Sequence, residues 1–136
     1  MIQKNPLFIL DGGHNPQCAE ALAACIRELL PDKKIVFLYG TLADKDYPKV
    51  ISHLIPFAQE FICLTPQNDR ALSAVELAEY LLRQGVSAKA SKTVEAGISE
   101  AIKKAGENGT VIAFGSLYLA GAIRNIVLKE GPVTSR

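Results

Sequence analysis

Leu7-Phe8-Ile9-Leu10-Asp11-Gly12-Gly13-His14-Asn15-Pro16 carries the reading of this chain. Four apolar residues suited to an extended strand run into two glycines, and Asn15 with Pro16 then opens a helix. A strand, a glycine turn and a helix N-terminus bring backbone N–H groups, a carboxylate and an imidazole to one edge of a sheet. That arrangement suits a nucleotide or phosphate. A plain strand-to-helix connection would also use glycine for unusual dihedrals and Asp or Asn for capping. His14 and Pro16 exceed what such a connection requires.

Outward from this stretch, apolar runs at 7–10, 34–39, 60–64, 86–90 and 110–114 alternate with segments of helical period, the pattern of parallel βαβ units. Residues 35–39 and 111–114 are apolar without alternation, as strands covered on both faces must be, so they belong at the centre of the sheet. Ala19, Ala23, Ile26 and Leu30 share one helical stripe, and Leu77, Ala78, Leu81 and Leu82 share another; both are expected to face the sheet. Ser73-Ala74-Val75-Glu76 is a capping box and Gly85 a helix stop. Asp46 and Pro48 open a helix ending near Ile55 and Pro56, and Ser116 opens a last helix reaching about Leu128. These elements predict a doubly wound α/β fold, Rossmann-like, with a mostly parallel sheet and helices on both faces. One domain over 1–130 is expected, with a frayed tail at 131–136 and a short edge strand from the first residues.

The 136 residues hold 15 Lys and Arg against 14 Asp and Glu, a net charge of +1. A chain of this length buries about two thirds of its unfolded surface, enough for a core without staples. The balanced charge gives no field to gather nucleic acid or an acidic membrane, so neither is expected as a partner. Cys18, Cys25 and Cys63 are odd in number and lack metal-ligand spacing, which predicts buried small hydrophobes in a reducing compartment and no metal held by this chain. No run reaches membrane-spanning length and no leader-like segment opens the chain, so a soluble cytoplasmic protein is expected.

Ligands of open parallel sheets bind beyond the carboxyl ends of the strands, and the loops there are rich. They comprise 11–16, Gly40-Thr41-Leu42-Ala43-Asp44-Lys45-Asp46, Thr65-Pro66-Gln67-Asn68-Asp69-Arg70 and Gly115-Ser116-Leu117-Tyr118. Loops at the other edge, such as Pro31-Asp32-Lys33 and Glu107-Asn108, carry only ordinary solvating polarity. His53 falls within a helix away from the rich edge and is assigned no role.

Taken together, Leu10 through Pro16, Gly40 with Asp44-Lys45-Asp46, Pro66 with Arg70-Ala71-Leu72-Ser73, and Gly115-Ser116-Leu117-Tyr118-Leu119-Ala120-Gly121 with Ile123-Arg124 resemble the C-terminal domain of folylpolyglutamate synthase/dihydrofolate synthase, in the Mur ligase family. The likeness spans nearly the whole chain. Gly13 stands where alanine is often found, and Ala122 where the family often carries an acid. The resemblance implies an ATP-dependent amide ligase that activates a folate or dihydropteroate carboxylate as an acyl phosphate for attack by L-glutamate. It also implies that the phosphate-binding P-loop, the Mg2+ ligands and most of the folate site lie in a preceding domain. This sequence has no glycine-rich loop ending Gly-Lys-Ser or Gly-Lys-Thr. The chain is accordingly expected to be inactive alone.

The roles that follow are expectations of the same kind. Asp11 would accept from the ATP ribose, or act only as a cap; His14 would face the terminal or acyl phosphate as the catalytic residue. Asn15 would shape the turn and touch nucleotide, and Lys45 would reach a nucleotide phosphate. Arg70, Ser116 and Tyr118 would meet glutamate, with Tyr118 as core filler the competing reading. Leu117, Leu119, Ile123 and Ile126 would form the buried stripe of the last helix. Three alternatives are a stand-alone nucleotide-binding or receiver-like regulatory module, a dinucleotide oxidoreductase and the C-terminal domain of another Mur-type ligase. Against a receiver, Asp11 stands alone and Gly115-Ser116 occupies the place of a lysine; against a dinucleotide enzyme, the GxGxxG turn is missing.

Overall fold

A computed structural model describes residues 7–10, 15–30, 34–115 and 121–124. Within them five strands, β1 (Leu7–Leu10), β2 (Ile35–Gly40), β3 (Ala58–Cys63), β4 (Ala88–Ala90) and β5 (Thr110–Gly115), form one sheet in the order β1-β5-β2-β3-β4. Every pairing is parallel. The two runs read as central, β2 and β5, are neighbours inside the sheet and are buried along their whole lengths. β4 is shorter than the run at 86–90 suggested, because Val86 and Ser87 precede its first ladder rung at Phe61 and Ala88.

The helices are α1 (Pro16–Leu29), α2 (Tyr47–Leu54), α3 (Ala74–Arg83) and α4 (Val94–Ala105), with a 3-10 turn at Ile55–Phe57 after α2. Their starts follow side-chain chemistry. Asn15 Oδ1 accepts the Cys18 N–H at 2.8 Å, Ser73 Oγ accepts the Glu76 N–H at 3.1 Å, and Thr93 Oγ1 accepts the Ala96 N–H at 3.0 Å. The Ser73 hydroxyl also donates to Glu76 Oε1 at 3.2 Å, so the two residues of the expected box do meet at the helix start, the Glu76 carboxylate taking the hydroxyl.

Alternate strand residues divide the core into two layers. Ile35, Phe37, Tyr39, Phe61, Cys63, Ile112 and Phe114 face α1, α2 and α3. Val36, Leu38, Ile62, Leu64, Val111 and Ala113 face α4 and Ile123 of the helical segment 121–124. Right-handed crossovers explain the division: β1 to β4 advance across the sheet in one direction, and the return from β4 to β5 puts α4 on the opposite face. Among the described residues no helix is long and apolar enough to cross a membrane.

Two expectations about side chains are corrected. Leu82 is 55% exposed, lying about 90° round α3 from the centre of the buried stripe formed by Ala74, Leu77, Ala78 and Leu81. Cys25 is exposed and Cys18, on the flank of α1, is half-buried against the core, so of the three Cys63 alone is fully buried. The edge strand expected from the first residues, most of the last helix and the tail at 131–136 lie outside the described residues.

Candidate functional site

At the carboxyl edge of the sheet, β1 leads toward α1 on one face, β5 toward the segment 121–124 on the other, and β2 toward α2 on the first face again. The connections therefore diverge on both sides of β5. Such reversals open crevices where parallel sheets take ligands. The floor between β5 and β2 is a contact between two glycines, paired as Gly40 with Gly115. Gly115 has φ 128°, and a Cβ on it would stand 2.2 Å from the Gly40 carbonyl oxygen. Gly115 can take this conformation against the Gly40 carbonyl because it has no Cβ.

Beside this floor the loops after β2 and β3 are joined to each other. The Ala43 N–H donates to the Arg70 carbonyl at 2.7 Å, and the Leu72 N–H donates to the Thr41 carbonyl at 2.9 Å. Leu42 and Ala71 form an antiparallel bridge between those bonds. The Arg70 guanidinium closes the clasp with its Nη1 2.7 Å from Asp44 Oδ2, and Asn68 Oδ1 accepts the Arg70 N–H at 2.8 Å. Lys45 sits in a turn closed by its own N–H on the Leu42 carbonyl at 3.2 Å; its side chain is exposed. Asp46 caps α2 by accepting the Lys49 N–H.

Below the rim the strand side chains are buried and aromatic. Tyr39 is buried, stacked on Phe114 with centroids 6.1 Å apart and edge-on to Phe61 at 6.3 Å. Burial pushes its phenol above the ordinary tyrosine range, so it stays neutral. Burial likewise pushes the Cys63 thiol up to about 12, with the charge of Glu60 acting in the same direction. Neither group is an acid–base catalyst near neutral pH. Thr41 is a buried polar residue at the rim, its hydroxyl donating to the Leu42 carbonyl at 3.2 Å.

Of the residues singled out in the sequence, Asn15 is at the N-terminus of α1, and Lys45 and Arg70 are on the two clasped loops, all at the carboxyl edge. Asp11, His14, Ser116 and Tyr118 lie outside the described residues. His53 is half-buried in the last turn of α2, toward the other edge. Sequence reasoning missed Asp44 as the partner of Arg70. The available signal was weak: opposite charges in two loops that leave adjacent parallel strands.

Comparison with known proteins matches this architecture. The family model for the Mur ligase glutamate ligase domain matches residues 1–117. The dihydrofolate synthase/folylpolyglutamate synthase of Haemophilus influenzae is 34% identical over 123 residues, covering 86% of this chain and 28% of that protein. The folylpolyglutamate synthase of Lacticaseibacillus casei is 30% identical over 128 residues, covering 93% of this chain and 28% of that protein. Among solved structures, a bifunctional folylpolyglutamate synthase/dihydrofolate synthase from Yersinia pestis, complexed with AMPPNP and Mn ion, superposes with a TM-score of 0.77 at 31% identity. It covers 89% of this chain and 28% of that one. Escherichia coli FolC in complex with DHPP and ADP shares the fold, with a TM-score of 0.82 at 23% identity over 92% of this chain and 29% of that one. The chain thus spans under a third of the length of these relatives, and it belongs to the Mur ligase family as a glutamate ligase domain.

Proposed function

We propose that this chain is the C-terminal lobe of an ATP-dependent amide ligase adding L-glutamate to folate or dihydropteroate in the cytoplasm, and that it is inactive without a preceding phosphate-binding domain of the same polypeptide. The observation that carries this reading is the joined pair of loops holding Lys45 and Arg70 on the same sheet edge as the Asn15-capped N-terminus of α1, beside the glycine-floored crevice. Support comes also from the relatives, which are named for this chemistry and are more than three times as long.

In that ligase a pterin-linked carboxylate oxygen attacks the γ-phosphorus of ATP and ADP departs. The glutamate amine then attacks the acyl carbon, losing a proton as phosphate leaves. Cations and N–H donors at a crevice rim suit both steps, because negative charge gathers on phosphoryl and carboxylate oxygens. Asp11 would bind the ribose hydroxyls, His14 would stabilise the charge developing on the acyl phosphate, and Asn15 and Lys45 would contact nucleotide. Arg70, Ser116 and Tyr118 would receive glutamate. Magnesium would be held mainly by the companion domain, as the resemblance to the folylpolyglutamate synthases implies.

The test begins with the isolated chain in ATP and magnesium. Weak nucleotide binding without phosphate release is expected, and robust ATP hydrolysis overturns the reading. In the intact ligase, Asp11→Ala should weaken ATP affinity about tenfold to a hundredfold, the cost of a hydrogen bond to a charged group. His14→Ala should lower kcat more than it raises any KM. Unchanged ATP affinity in the first variant, or equal effects on kcat and KM in the second, removes that residue's role.

A further inference from the structure

Asp44 and Arg70 are 26 residues apart in sequence, yet their ion pair sits where two backbone bonds have already joined their loops. Both side chains stay open to water, 51% exposed for Asp44 and 61% for Arg70. An exposed pair of this kind adds little to folding. Its geometry nevertheless has a consequence for Arg70. Among the described residues the guanidinium is held through Nη1, and a guanidinium carries five N–H donors in a fixed plane. One carboxylate oxygen therefore anchors one corner of a side chain that is otherwise largely open to water, and the Asp44 that supplies it is followed in the chain by the exposed Lys45.

The backbone limits where that anchor can be. Arg70 is fixed at its N–H by Asn68 Oδ1 and at its carbonyl by the Ala43 N–H. The side chain still has several free torsions, and each must be restrained if the planar fork is to meet a planar anion in two bonds. Asp44 supplies that restraint from the neighbouring loop. The pair also brings the Lys45 turn and Arg70 into one body, since the turn is closed by the Lys45 N–H on Leu42, a residue of the bridge itself.

We propose that Asp44 is a positioning residue: it holds Arg70 by one nitrogen so that the free edge of the guanidinium, with Lys45, takes an anionic oxygen group of the ligand, carboxylate or phosphate. This rests on the ligase reading for its place in a reaction, but the placement of Arg70 is testable without activity. The ordered guanidinium costs less to immobilise when an anion arrives, so affinity falls when Asp44 is removed although Asp44 never touches the ligand.

The experiment follows the Arg70 Nε–H signal by NMR in the 136-residue chain while inorganic phosphate or L-glutamate is added. The wild-type signal should shift with one of the two probes, and Asp44→Asn should weaken that response at least tenfold. Asp44→Glu, which keeps the carboxylate, should restore it to within about threefold. Equal response in wild type and Asp44→Asn, or no response to either probe in wild type, overturns the proposal. In the intact ligase, Asp44→Asn should raise one KM about tenfold with kcat within about threefold. The KM that rises, for ATP or for L-glutamate, identifies the source of the anion, and a fall confined to kcat also overturns it. A wild-type enzyme without glutamate ligation would defeat the ligase reading and leave the NMR outcome to decide the placement of Arg70.

Discussion

Replacing Gly115 with alanine tests the crevice floor directly. The new Cβ would stand 2.2 Å from the Gly40 carbonyl oxygen and 3.3 Å from its carbon and nitrogen. An ordinary carbon–oxygen contact needs about 3.3 Å, so β5 and β2 must part by roughly 1 Å at their carboxyl ends. The φ of 128° adds a dihedral penalty of about 1–3 kcal/mol. A stretched or broken rung in a buried ladder adds about 1–3 kcal/mol more. Together these effects give a loss of about 2–6 kcal/mol, which for a domain of this size lowers Tm by roughly 7–21 °C. Gly85→Ala is the control, because Gly85 also has positive φ, 85°, but no atom within 4 Å of its added Cβ. It should cost only about 1 kcal/mol, the dihedral penalty alone. Urea unfolding followed by circular dichroism measures both variants. If Gly115→Ala loses no more than Gly85→Ala, the two strand ends are not in contact and the crevice floor is wrong.

Stability should fall in alkali, since the Cys63 thiol is held at about 12 against an ordinary 9.0 and Tyr39 is raised as well. The unfolded chain releases these protons first, so the stabilisation is complete below about pH 9; above it the Cys63 share is lost toward pH 12 at roughly 1.4 kcal/mol per pH unit, and the Tyr39 share begins to fall only above about pH 10. Cys63→Val should flatten the onset between pH 9 and 10 in urea titrations, and an unchanged slope there refutes the assignment. Thiol labelling with mass-spectrometric readout should modify Cys25 first, Cys18 more slowly and Cys63 only when the domain opens. Early labelling of Cys63 would contradict its place in the core.

How much of this was legible follows from the range of each signal. The strands and caps are local: Leu7–Leu10, the unbroken apolar run of β2 and the Ser73–Glu76 box each declare themselves within a few residues. Burial at the flank of a helix is less local. Leu82 fits the period of α3, yet it lies at the margin of the buried stripe and is exposed, and Cys25 on the flank of α1 likewise faces out.

The functional rim depends on the longest-range information of all, the order in which strands are laid down. Gly40 and Gly115 come together only because the chain returns from the β4 edge and inserts β5 between β1 and β2. No motif spacing contains that insertion; the handedness of the crossovers and the two-faced burial of β5 require it once the elements are known. The same topology sets β2 beside β3, so that Asp44 and Arg70 leave neighbouring strands at the same height and can pair. Sequence therefore named Arg70 and Lys45 as cations on separate loops, whereas the fold makes them parts of one surface. If an anionic ligand binds there, its affinity should depend on Asp44, a residue of the ligand's own charge sign, and that dependence separates an ordered guanidinium from a merely basic patch.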